Sequence, residues 1–219
     1  MTPIRALHDT LLAHYGPQGW WPAQTPFEVM VGAILTQNTA WTNVERAISH
    51  LYRADALCPQ RLLTLDAAAL AELIRPSGYF NVKARRLQAF CRWLLDQGGE
   101  TALRRWPTEA LREGLLSVNG VGPETADDML LYALDRPVFV IDAYTRRIFA
   151  RLRLATGEEP YDHLRQQVET ALDHDIDRMQ ALHALLVAHA KAHCRRRPQC
   201  HDCPLHRPAA QPHCAGLAD

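Results

Sequence analysis

Apolar residues recur along almost the whole chain with a helical period, and nowhere alternate long enough to make a strand. From Ile4 to Tyr15 the pattern suits one helix, stopped by Gly16-Pro17-Gln18-Gly19. Thr25-Pro26-Phe27-Glu28 has the form of a helix start, with a capping threonine, proline at the first position and glutamate three residues after the cap. The following run, Phe27 to Leu35, is apolar on nearly every side, which predicts a buried helix. Further helices are predicted over about 43–53, 60–75, 82–97, 108–117 and 123–134, from Asp142 to about Leu152, and over Tyr161 to Leu172 and Met179 to Ala192. No repeat of roughly 20–50 residues is visible. The pattern specifies an all-α protein, and 219 residues give room for one large domain or two small ones.

Two places where the pattern breaks carry candidate chemistry. Leu115-Leu116-Ser117-Val118-Asn119-Gly120-Val121-Gly122-Pro123-Glu124-Thr125-Ala126-Asp127 runs from an apolar helix end through Gly-Val-Gly into a proline at a first helical position. This is a helix-hairpin-helix pattern. Its backbone N–H groups at the new helix start offer a site for an anion such as a DNA phosphate, although a plain helix connection fits the same residues. About twenty residues on, Val138-Phe139-Val140-Ile141-Asp142 delivers a carboxylate to the mouth of another helix, where it also suits an N-cap.

The loop Thr36-Gln37-Asn38-Thr39-Ala40-Trp41 closes the buried helix with amide side chains, which can cap helix ends or replace hydrogen bonds when a base leaves a duplex. Trp20 and Trp21, adjacent and outside a helix, cannot both point into one core. Net charge is zero, so DNA binding would rest on local patches; residues 191–207 hold Lys191, Arg195, Arg196, Arg197 and Arg207 against Asp202, five minus one, a net +4. Only Lys83 and Lys191 are lysine. Four of the six cysteines fall in the last 26 residues as C-x5-C-x2-C-x10-C, Cys194, Cys200, Cys203 and Cys214, a set suited to a [4Fe–4S] cluster or a structural zinc. The N-terminus lacks a signal pattern and no apolar run nears the ~18 residues of a membrane span, which points to a cytoplasmic protein.

Hairpin, aspartate and cysteine tail together resemble the helix-hairpin-helix, Gly/Pro, Asp superfamily of DNA glycosylases, in particular its endonuclease III branch. The resemblance implies a six-helix domain over 24–136 and a second helical domain from 1–23 plus 137–219, with Asp142 and Gly120 facing a cleft between them. It implies a monomer, free of membrane and associated with the nucleoid, that binds double-stranded DNA holding a damaged base. The cofactor implied is a [4Fe–4S] cluster on Cys194, Cys200, Cys203 and Cys214, although the family spacing is C-x6-C-x2-C-x5-C. DNA contacts are implied for Gln37, which fills the gap left by the extruded nucleotide, and for Asn38, Lys83, Gly120, Gly122, Thr125, Lys191 and Arg195.

In the same resemblance Asp142 stabilises positive charge on the sugar as the base departs. Bifunctional relatives place a nucleophilic lysine directly before Thr-Ala in the hairpin, where this chain has Glu124. A monofunctional glycosylase is therefore expected, with a bifunctional enzyme acting on oxidised pyrimidines and a DNA-damage-binding protein as alternatives. As a purely local matter, an acid in the first helical turn suits the helix dipole. Trp20-Trp21-Pro22 with Leu35 to Trp41 looks most like the 3-methyladenine DNA glycosylase members, which implies a base pocket between Trp21 and Trp41 for an alkylated purine.

Overall fold

The computed structural model describes residues 2–206 and is all-helical among them. Its α-helices are α1 (Pro3–Tyr15), α2 (Pro26–Leu35), α3 (Trp41–Arg53), α4 (Pro59–Thr64), α5 (Ala67–Leu73), α6 (Phe80–Asp96), α7 (Glu100–Leu103), α8 (Thr108–Leu116), α9 (Pro123–Asp128), α10 (Ala143–Arg151), α11 (Tyr161–Ala171) and α12 (Ile176–Ala192). The chain divides into two compact units, Ala23–Arg136 and Met1–Pro22 with the chain from Pro137 onward. No helix among the described residues is long and apolar enough to cross a membrane.

The unit Ala23–Arg136 is assembled around α2. Thr25 caps it by accepting from the Glu28 N–H, and the Glu28 carboxylate turns back to accept from the Gln24 N–H, one residue before the cap. Phe27, Met30, Val31, Ile34 and Leu35 are all buried, as the all-round apolar pattern requires. Helices α3, α6 and α9 pack against it.

Two predicted helices depart from their expected form. The run over 60–75 is split into α4 and α5, because Leu65 is extended and Asp66 starts a new helix by accepting from the Ala69 N–H at 2.7 Å. The run from Pro123 loses its α-helical register after Asp128 and continues as one π-helical turn, Met129–Ala133.

In the other unit α12 packs along α1 and α10. The extended approach to Asp142 is held by side chains of α11: Glu169 accepts from the Phe139 N–H at 2.9 Å, and the Tyr161 hydroxyl accepts from the Ile141 N–H at 3.2 Å. Arg165 in turn donates to both Glu169 oxygens, so the charge buried there is paired.

A second buried pair braces the hairpin. Arg112 of α8 donates to both carboxylate oxygens of Asp127 in α9, at 2.7 and 3.1 Å, and neither side chain is more than 8% exposed. Asp127→Ala leaves the guanidinium buried without its carboxylate and should cost about 3 kcal/mol or more of unfolding free energy in urea melts. Replacing both partners by apolar residues of similar size should cost far less. Equal losses would show that the ion pair is not what makes Asp127 necessary.

Candidate functional site

The hairpin turn depends on the conformation of residue 120. Gly120 has φ +88°, and a Cβ there would coincide with the side chain of Arg86, which reaches over from α6. The turn is closed by the Val121 N–H donating to the Val118 carbonyl, and α9 begins with the Ala126 N–H donating to that of Gly122. Gln37, from the loop after α2, is tied into this turn. Its amide nitrogen donates to the Gly120 carbonyl and to the Thr125 hydroxyl, both at 2.9 Å, while its amide oxygen accepts from Arg86. These residues, with Asn38, Gly122 and Glu124, line an open recess of about 500 Å³. Thr125 is buried, whereas Asn38 and Glu124 are exposed, and Asn38 adopts the left-handed conformation that asparagine tolerates.

Lys83 is placed differently from the expected lysine beside DNA backbone. It is 1% exposed, and its ammonium donates to the Leu35 carbonyl at 2.8 Å, the Thr39 hydroxyl at 2.9 Å and the Ser77 carbonyl at 2.7 Å. Burial, reinforced by the charge of Arg86, pushes its pKa down to about 8. The end of α2 with its following loop and the turn before α6 converge on one side chain. What stands exposed near this point is Tyr79, 71% accessible and left-handed at φ +47°, with Val82 one turn on.

In the other unit Asp142 caps α10, its Oδ1 accepting from the Thr145 N–H at 2.7 Å. Burial pushes this carboxyl up, but His183 and the Thr145 N–H together outweigh it and hold the group below the usual carboxylate range. The site therefore supplies a buried anion at neutral pH. Trp21 lies against Trp20, ring centroids 5.4 Å apart, and Lys191 sits 5.9 Å over Trp20. Trp41 belongs to the hairpin-bearing unit, where it donates to Glu45.

The cysteine expectation is corrected. Among the described residues no group of three or more His, Cys, Asp and Glu side chains is placed to hold a metal ion, which overturns the expected [4Fe–4S] cluster and the zinc alternative there. Cys214 lies outside the described residues. Cys194 and Cys203 are buried, and burial pushes the Cys203 thiol pKa up. Arginines of α10 engage this loop instead: Arg147 donates to the Cys194 carbonyl, and Arg151 donates to the Cys194 sulfur and to the carbonyls of Arg195 and Arg196. Arg195 itself is exposed, with its Nε turned back to the Lys191 carbonyl.

Three side chains at these sites escape a reading of the sequence. Arg86 sits among several arginines with nothing to distinguish it, Tyr79 reads as a loop residue, and His183 falls in an apolar helix where a histidine passes for core. Only the exposed aromatic before a helix start gives any local signal.

The chain belongs to the HhH-GPD superfamily of base excision DNA repair proteins, whose sequence profile matches residues 31–174. It is similar to a putative DNA repair glycosylase of Methanocaldococcus jannaschii, 47% identical over 205 residues that cover 92% of this chain and 93% of that protein. An endonuclease III of Rickettsia conorii is 29% identical over 182 residues, covering 82% of this chain and 81% of its own. Among solved structures, the 3-methyladenine DNA glycosylase of Helicobacter pylori bound to 1,N6-ethenoadenine has 29% identity and a TM-score of 0.73, over 86% of this chain and 95% of that one. An endonuclease III–DNA complex shares the fold at 22% identity, TM-score 0.78, over 92% and 91% of the two chains.

Lys83→Met keeps the length of the stem but takes the donor from the buried Leu35 carbonyl and one of two from the Ser77 carbonyl, which the Thr39 hydroxyl still serves, and should lower unfolding free energy by about 2 kcal/mol. A variant with an unchanged urea midpoint and weakened DNA binding would return Lys83 to the DNA-facing role.

Proposed function

We propose that this chain is an endonuclease III-type DNA glycosylase, which takes a damaged base out of duplex DNA and breaks the bond joining it to the sugar. The observation that carries this reading is Asp142, a buried carboxylate kept ionised at a helix start. As the bond breaks, the electron pair leaves with the base and positive charge develops on the sugar. A carboxylate fixed beside that carbon stabilises the charge without reorganising, and can accept the proton of the water that then adds. The recess around Gly120, Gly122 and Thr125 suits the DNA backbone, and Lys191 and Arg195 are separately assigned to phosphate contacts. Gln37 and Asn38 are assigned to the space the base vacates, and Trp41 of the same unit to stacking on the extruded base.

Strand cutting separates two forms of the reading. The endonuclease III relatives favour a bifunctional enzyme, in which an amine forms a Schiff base with the sugar. Glu124 in the first turn of α9 favours base release alone, since it stands where bifunctional relatives carry lysine. Of the two lysines, Lys83 has its ammonium engaged on three oxygens and Lys191 sits over Trp20. The likeness to the Helicobacter glycosylase bound to an ethenoadenine supports alkylated purines beside oxidised pyrimidines as the bases to test.

Asp142→Asn should lower base release at least about 100-fold while DNA affinity holds, because the charge acts mainly in the transition state and asparagine still caps α10. Wild-type turnover by this variant would leave Asp142 a helix cap and remove the reading.

Borohydride should fail to trap a covalent protein–DNA adduct with the wild-type chain, and abasic strands should break only after alkali. Efficient trapping that is lost on replacing Lys83 or Lys191 would establish the bifunctional form.

A further inference from the structure

Asp142 has two oxygens, and the helix cap uses only Oδ1. Oδ2 lies 3.7 Å from Nε2 of His183, a residue of α12 that is 5% exposed. The histidine ring is itself braced, standing edge-on to Phe139 at 6.2 Å between centroids and 82° between planes. Phe139 is fixed in turn, since its N–H donates to Glu169, the carboxylate clamped by Arg165. The segment that delivers Asp142 thus also orients the ring facing it.

We propose that His183 is a positioning residue for Asp142, supplying a buried positive charge that keeps the carboxylate ionised and leaves Oδ2 open for the reaction. The inference rests on the role given to Asp142 above. A carboxylate taken out of water favours its protonated form unless hydrogen bonds or opposite charge offset the burial. The Thr145 N–H gives one such bond, and the His183 ring, with Nε2 at 3.7 Å from Oδ2, gives opposite charge when it carries a proton. That distance exceeds a hydrogen bond, so Oδ2 keeps a lone pair for a water or the sugar.

Other ionisable groups around this point are engaged elsewhere. Arg146 of α10 donates to the carbonyls of Gly157 and Glu159, and Arg147 donates to that of Cys194 and lies over the Tyr144 ring. On α11 the Tyr161 hydroxyl accepts from Ile141, while Arg165 is shared between Asp162 and Glu169. On α12 itself, Arg178 pairs with Asp175 beyond the helix start. The direction of the Asp142 shift agrees, with His183 the foremost of the influences that lower it.

The sign of the expected effect follows. Removing the imidazolium lets burial raise the Asp142 pKa, so the acid limb of base release should move to higher pH. Single-turnover base release is measured against pH for the wild type and for His183→Gln, which keeps polarity and loses charge. The limb should rise by about one pH unit or more, with DNA affinity unchanged and the rate at pH 8 altered much less. A folded His183→Gln protein whose limb stays in place overturns the proposal.

A measurement on the wild type guards against a variant that does not fold. With carboxyl-13C aspartate in the DNA-free protein, the Asp142 resonance should titrate below the ordinary aspartate range and show a second, smaller inflection where His183 loses its proton. A single ordinary titration overturns the proposal without any assay of activity. Asp142→Asn with full turnover would instead remove the glycosylase role, while leaving the pairing seen by NMR intact.

Discussion

Residue 120 has no space for a side chain, and the arrangement of the hairpin follows from that. Its positive φ carries the chain from α8 toward α9, and the volume a Cβ would fill is taken by Arg86. Because Arg86 lies there, its guanidinium reaches the amide oxygen of Gln37, and the amide nitrogen of Gln37 can serve both Gly120 and Thr125. One missing methyl group thus lets a loop after α2, the middle of α6 and the start of α9 share a continuous set of hydrogen bonds. Arg112 and Asp127 hold the two hairpin helices together from the buried side.

The second unit answers a different demand, keeping a charge in a place from which water has been removed. Its solution is layered: a backbone N–H at Oδ1, an imidazole near Oδ2, an aromatic edge against the imidazole, and a carboxylate–guanidinium pair behind the aromatic residue. Glu169, clamped by Arg165, holds the Phe139 N–H and so fixes the backbone on which Asp142 hangs. Burial alone would raise the aspartate's pKa above the ordinary carboxylate value.

Where the chain could be read directly, the signal was local. Thr25, Pro26 and Glu28 announce α2, Gly-Val-Gly-Pro announces the hairpin, and the acid after Val-Phe-Val-Ile announces a helix cap, because each pattern is satisfied by neighbours a few residues away. Reading stopped where partners are distant. Lys83 looks like a surface cation on an amphipathic helix until Leu35, Thr39 and Ser77 are brought to it, and His183 looks like packing until Asp142 is. The break at Asp66 was overlooked because apolar spacing runs on across it, and the π turn because a single inserted residue barely disturbs that spacing. Cysteine spacing misled for a related reason. Counting residues between thiols says nothing of burial or of arginines such as Arg151 that take up the same loop.

The seat of Lys83 also makes the protein report on its own breathing. Reagent cannot reach an amine that is 1% exposed until the segments around Leu35, Thr39 and Ser77 part, and the same opening returns its pKa from about 8 toward that of an ordinary lysine. Lys191 lies in the open and modifies without any opening. With only two lysines in the chain, the ratio of their labelling rates reads the local opening equilibrium around the Lys83 ammonium, without a probe being introduced.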